Sequence, residues 1–213
     1  MLADLVELFL PRHCHGCGRS GTGLCRTCAP VDLVAVDCAG LPVIAAGRYE
    51  GALRDAVLAY KERGRRDLGV PLASLLGAAV RAHDLPGAVL VPIPSSAGAR
   101  RARGGDHVLR LSRRVGGCTS ALRLIRAVQD SAGLDAAARA ENLAGAFAAR
   151  PPRLPGAAAL LVDDIITTGA TLGDATRALT HSGWLVAGAA VVAATPLRFP
   201  TARSRVARRH GPV

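Results

Sequence analysis

Residues 158–175, AALLVDDIITTGATLGDA, constrain the architecture more than any other stretch of the chain. An apolar run of strand length stops at two adjacent acids, Asp163 and Asp164, crosses a threonine-rich loop around Gly169 and turns helical. A strand delivered through a short loop into a helix is the repeating unit of a parallel sheet. The alternation recurs elsewhere. PVIAAGRYEG reads as a strand leading into the helix ALRDAVLAYKERG, where Leu53, Val57 and Tyr60 recur at helical spacing. PLASLLGAAVRAH is a second helix with Pro71 suited to its first turn, and AVLVPIP is a buried strand ended by prolines. The helix ATLGDATRALTHSG closes at Gly183, before the strand WLVAGAAVVAAT. The expected fold class is therefore α/β, a parallel sheet with helices on both faces.

The beginning of the chain is of another kind. Cys14, Cys17, Cys25 and Cys28 form C-x2-C-x7-C-x2-C, two thiolate pairs on glycine-rich turns that can converge on a tetrahedral zinc ion. Disulfides are the alternative, and they fit poorly with a chain that lacks an export signal. Four thiolates fill the coordination sphere, so a structural zinc is expected. His13 and His15 flank the first pair as substitute ligands, though exposed positions suit them better. The expected organisation is a zinc-knuckle module over residues 1–31, one domain over 32–198, and a basic tail over 199–213 that reads as mobile. MLADLVELFLP carries Asp4 and Glu7 within its apolar run and no basic leader, and no later stretch suits a membrane span. The expectation is a soluble, cytoplasmic protein.

With 50% hydrophobic but only 3% aromatic residues among 213, the core must be built from Ala, Val, Leu and Ile. The net charge of +11 makes an anionic partner plausible, whether a phosphate ester, nucleic acid or an acidic protein surface. Lys61 is the only lysine; arginine carries the rest of the positive charge.

In a parallel sheet ligands bind at the carboxyl ends of the strands, where Asp163 and Asp164 stand after ALLV. The loop that follows enters a helix whose first amides lack intrahelical partners. Those amides, the hydroxyls of Thr167, Thr168 and Thr171, and Gly169, which permits close approach, suit a phosphate. Two carboxylates would repel that phosphate, so they are expected to face the vicinal hydroxyls of a sugar. The ligand deduced is a ribose 5-phosphate. A Walker-B reading of the acids is excluded, because no G-x-x-x-x-G-K-[ST] loop surrounds Lys61. A dinucleotide site lacks its glycine fingerprint after any expected strand. No nucleophile with a partner base stands out along the chain.

ALLVDDIITTGAT resembles the phosphoribosyl-diphosphate signature of type I phosphoribosyltransferases. The four cysteines, YEGALRDAVLAYKERG, VPIPSSAGARRARGGDHV, and QDSAGLDAAARAENLAGAF with Gln129, Leu134, Arg139, Asn142 and Phe147 are similar to segments of the ComF family, competence-associated phosphoribosyltransferase-like proteins with a zinc knuckle. The resemblance spans residues 10–195 and implies a type I phosphoribosyltransferase-like fold. It also implies phosphoribosyl diphosphate as ligand, Mg²⁺ carried with the diphosphate, and transfer of phosphoribose to an acceptor that the residues do not identify. By the same analogy Pro94, Ser95 and Ser96 belong to the diphosphate loop, with Gly98 exposing a further backbone donor. Thr167, Thr168, Gly169, Ala170 and Thr171 hold the 5-phosphate, and Asp163, Asp164 and Arg100 are the catalytic set. Arg101 and Arg103 lie in a mobile closing loop, and Lys61 contributes from a helix end. One segment departs from the family pattern: Arg103, Gly104, Gly105, Asp106 and His107 replace an arginine-glycine-aromatic-asparagine-glutamine run. The biological setting implied is DNA uptake. Its alternatives are a non-catalytic module that handles single-stranded DNA or meets competence-machinery proteins, for which aromatic residues are few, and a ligand-sensing regulator, for which no helix-turn-helix is evident.

Overall fold

The computed structural model describes residues 13–126 and 136–195. Gln129, Leu134, the Arg139 side chain, the first twelve residues and the basic tail lie outside them. In chain order the elements are β1 (Val34–Cys38), β2 (Leu41–Ala45), α1 (Gly51–Glu62), a 3-10 turn (Arg66–Leu68), α2 (Gly69–Ala82) and β3 (Val89–Pro92). Then follow α3 (Ala97–Arg103), α4 (His107–Val115), β4 (Leu122–Leu124), α5 (Ala136–Leu143), β5 (Phe147–Ala149), β6 (Ala158–Ile166), α6 (Ala170–His181) and β7 (Leu185–Ala194). Five strands form the central sheet in the order β1-β2-β7-β6-β3; β4 and β5 pair separately as an antiparallel ribbon. The central pairings are parallel except at one edge, where β1 turns back on β2 through Ala39 and Gly40, both at positive φ. The mostly parallel sheet flanked by helices matches the α/β expectation. The antiparallel edge strand was not anticipated, because the segment before Leu41 carries no long apolar run.

Burial on both faces explains why β7 shows no clean alternation. Lying between β2 and β6, it buries Ala189, Ala190, Val191, Val192 and Ala193 completely. Its small side chains let neighbouring backbone come close. A Cβ at Gly188 would sit 2.8 Å from the Pro42 carbonyl oxygen, and the His83 ring reaches over from the end of α2 to place Nε2 2.8 Å from the Ala189 carbonyl oxygen. One face of the sheet packs against α1, α2 and α4 through Val57, Leu72, Leu76, Val108 and Leu111, which meet Leu160 and Val162 of β6. The other packs against α6 and the β4–β5 ribbon through Leu172, Leu179, Phe147 and Trp184, which meet Ala159 and Leu161. Each fully buried leucine contributes about 2 kcal/mol through the apolar surface it removes from water.

Three features position the candidate site. First, β6 does not stop at Val162. It runs to Ile166, held by β7 as far as Ile166 opposite Ala194, whereas its other neighbour β3 ends at Pro92 opposite Val162. The acids are therefore strand residues beside an edge that β3 has vacated, not the first residues of a loop. Second, the arginine-rich segment after β3 folds into two helices. Ser96 caps α3 by accepting the Ala99 N–H at 3.2 Å, and Asp106 caps α4 by accepting the Leu109 N–H at 3.2 Å. Third, Gly104 ends α3 in the left-handed region at φ 64°, so the chain can reverse directly into α4. No helix among the described residues is long and apolar enough to cross a membrane.

Candidate functional site

Beside the vacated edge of β6 lies a cleft of ≈ 350 Å³. It is bordered by the loop after β3 (Pro94, Ser95, Ser96), by Lys61 and Arg103, and by Asp163, Asp164, Thr167 and Thr171. Residues that the sequence scatters over more than a hundred positions thus meet at one strand end.

Adjacent residues on a strand point to opposite faces, and this separates the two acids. Asp164 turns toward the face covered by α1 and α4 and is 5% exposed. Its Oδ2 lies 3.1 Å from Lys61 Nζ and 2.6 Å from His107 Nε2. Its Oδ1 accepts the Ile165 N–H at 2.8 Å. Burial alone would raise its pKa, but the His107 hydrogen bond and the Lys61 ammonium outweigh that and hold the carboxyl far below the usual range. Lys61 responds in kind: burial works against its charge, yet Asp164 and Asp163 raise its pKa above the ordinary lysine value. Asp163 is half-buried, accepts the Asp164 N–H at 2.8 Å and forms no salt bridge among the described residues. Burial, reinforced by the Asp164 charge, pushes its carboxyl well above the carboxylate range. The two acids are therefore not equivalent: both border the cleft, but Asp164 is engaged by Lys61 and His107, whereas Asp163 has no cationic partner among the described residues.

The loop after β3 also departs from expectation. Ser95 does not offer a free backbone donor, since its N–H is taken by Asp106 Oδ2 at 2.8 Å. Its hydroxyl lies 3.2 Å from His107 Nδ1. Arg100 does not reach the cleft. It borders a separate hollow of ≈ 530 Å³ with Arg123 and Arg126, and the two spaces share Ser95 and Ser96. Arg101 is exposed on α3, and Arg103, at the end of that helix, does face the cleft.

Of the threonine loop, Thr167 and Thr171 border the cleft; Thr168, Gly169 and Ala170 do not. Thr168 Oγ1 accepts the Ala170 N–H at 3.5 Å. Gly169 precedes α6 at φ 79° and is buried. A Cβ there would collide with Cys38 Sγ. The close approach that requires glycine is thus made by β1, not by the space a ligand would enter. Behind the loop, Asp174 of α6 accepts the Gly145 and Phe147 N–H groups, each at 2.9 Å, and Arg177 Nε at 2.7 Å, tying the β4–β5 ribbon to the helix.

Before β1 the sulfurs of Cys14, Cys17, Cys25 and Cys28 all lie within 4.8 Å of one another, with Cys17 and Cys25 3.8 Å apart. Four thiolates on a tetrahedral zinc ion are separated by about 3.8 Å, and no cysteine is disulfide-bonded. The cluster is compatible with a structural zinc site. The backbone prepares it. Burial would raise the Cys14 pKa, but backbone N–H groups of Cys17, Cys25 and Gly16 pointed at the sulfur lower it to about 6. The hydrogen bond from Cys25 is 3.3 Å long. Gly16 leaves room: a Cβ would stand 2.8 Å from both Cys28 Sγ and Ala52 Cβ of α1. His13 stays outside the cluster, its ring near Gly18 and Ser20.

Aromatic rings do not form an exposed stacking surface among the described residues. Tyr60, Phe147 and Trp184 are buried and Tyr49 is half-buried. His107 and Asp106 are the site residues that sequence reasoning missed; their one signal was the departure from the family pattern at these positions. No protein-family model matches the chain, and no curated protein matches it.

Proposed function

We propose that the chain is a phosphoribosyltransferase-like protein of the ComF kind, and that the cleft beside β6 binds phosphoribosyl diphosphate. The observation that carries this reading is the convergence of two hydroxyl-bearing loops, Pro94–Ser96 and Thr167–Thr171, with Lys61 and Arg103 around Asp163. Asp163 can accept hydrogen bonds from the sugar hydroxyls. The hydroxyls of Thr167 and Thr171 suit the 5-phosphate, and Ser95, Ser96 and Arg103 suit the diphosphate. Asp164 takes a supporting role: by neutralising Lys61 and orienting His107 it holds α1 and α4 against the strand end. Magnesium would enter with the diphosphate, with Asp163 as a carboxylate available to hold it, and would spread the leaving group's charge. Phosphoribose transfer would then proceed by loss of diphosphate from the anomeric carbon, with Arg103 stabilising the departing anion. Reduced zinc thiolates suit a cytoplasmic setting, and competence-related DNA uptake is the biological context that the resemblance suggests.

Calorimetric titration of phosphoribosyl diphosphate with Mg²⁺ tests the reading. Wild type should bind, and Asp163→Ala and Thr171→Val should each weaken binding at least about tenfold, the loss of one or two charge-assisted hydrogen bonds. Equal binding by all three, or none by any, refutes the assignment. Diphosphate release measured against a panel of nucleobases and amines then identifies the acceptor.

A further inference from the structure

We propose that Ser95, His107 and Asp164 form a catalytic hydrogen-bonded chain that makes Ser95 Oγ a nucleophile toward small anionic esters, an activity independent of whether the cleft takes phosphoribosyl diphosphate. Ser95 Oγ lies 3.2 Å from His107 Nδ1, and His107 Nε2 lies 2.6 Å from Asp164 Oδ2. An ionised carboxylate only accepts, so the Asp164 bond places the ring hydrogen of neutral His107 on Nε2. Nδ1 is then a bare lone pair facing the serine hydroxyl, the relation of base to nucleophile. Lys61 on the same Asp164 oxygen keeps the carboxylate charged, so it orients the imidazole without taking its proton.

The geometry is clamped by Asp106, one carboxylate oxygen of which binds the Ser95 N–H while the other caps the helix that begins at His107. The Tyr60 ring stands edge-on to the imidazole with centroids 6.5 Å apart and blocks its retreat. Ser95, His107 and Asp164 all border the cleft, and Arg103 at its rim has no acidic partner among the described residues. A cleft of ≈ 350 Å³ with that arginine suits an ester bearing a carboxylate or phosphate.

In the acylation step the Ser95 hydroxyl proton passes to His107 Nδ1 as the Oγ–carbon bond forms. Collapse of the adduct breaks the ester C–O bond, and the same proton goes to the departing alkoxide. Water then attacks the acyl-serine, giving its proton to Nδ1, which returns it to Oγ as the carboxylic acid leaves.

The test is reaction of the full chain with a fluorophosphonate probe, mapped by peptide mass spectrometry. One adduct per chain on Ser95 is expected in the folded wild type and none in urea. His107→Gln should slow labelling at least about a hundredfold, the ordinary contribution of general-base catalysis. Asp164 acts through His107 as a positioning residue, so Asp164→Asn should slow labelling and Asp164→Glu should restore part of the rate. Absence of a Ser95 adduct on the folded wild type overturns the proposal without any variant, and so does an unchanged rate in a folded His107→Gln chain. Phosphoribosyl diphosphate titration is read separately, so either reading can fail alone.

Discussion

Replacing Lys61 by methionine keeps the aliphatic stem of the side chain and removes the ammonium that sits 3.1 Å from Asp164 Oδ2. With an effective dielectric of about 20, the gross attraction at that separation is roughly 5 kcal/mol, which sets the ceiling. Lys61 retains 28% of its side-chain exposure, and Asp164, at 7%, keeps its bonds to His107 and to the Ile165 N–H. The net cost should therefore fall near the lower end of the range for a broken buried pair, about 3 kcal/mol. For a chain of this size that lowers the melting temperature by about 6–12 °C. Urea unfolding at several pH values is the assay. Asp164 has a depressed folded pKa, so its contribution is present above the unfolded carboxyl value and is lost as pH falls through the folded one. Lys61 has a raised folded pKa, so its contribution is complete below the unfolded amine value and is lost as pH rises through the folded one. The gap between wild type and Lys61→Met should accordingly be widest between about pH 5 and pH 10 and narrow outside that window. A gap below 0.5 kcal/mol at pH 7 (on the order of a surface substitution), or one independent of pH down to pH 2, would show that the contact does not hold β6 to α1.

Gly169→Ala should destabilise by about 2–5 kcal/mol, combining left-handed strain with overlap on Cys38 Sγ. Adding Cys38→Ala should recover the overlap part only, and no recovery in denaturant melts would mean that β1 does not pack there. Protein purified without added zinc should carry about one zinc ion per chain, and Cys25→Ser should reduce it; a folded, metal-free preparation with all four thiols intact contradicts the knuckle. Asp174→Ala leaves the Gly145 and Phe147 N–H groups unpaired and should cost about 3 kcal/mol. Hydrogen exchange should speed up first in β4 and β5, and uniform acceleration over the whole chain would contradict the local role assigned to it.

Local chemistry made much of this protein legible in the sequence. The cysteine cluster depends on spacing within fifteen residues and on glycines beside the thiols, so the four sulfurs could be matched before any fold was known. The helices α1, α2 and α6 follow from apolar periodicity, and β7 from a run of small apolar residues suited to a strand covered on both faces. Strands β1, β4 and β5 were missed because each is short and lacks a sustained pattern.

The candidate site divides the same way. That the Asp163–Thr171 segment joins a strand to a helix is written in consecutive residues. Which acid meets Lys61 and His107 is not, because it depends on which face of β6 the helices α1 and α4 cover. The partners of Asp164 lie beyond the reach of any local signal: His107 is 57 positions away in the chain, and Lys61 is on a different helix. Spacing can place two carboxylates side by side, but only packing brings a lysine from α1 and a histidine from α4 to one of them, because burying that charge requires a cation and hydrogen-bond donors from whichever elements the fold lays against it.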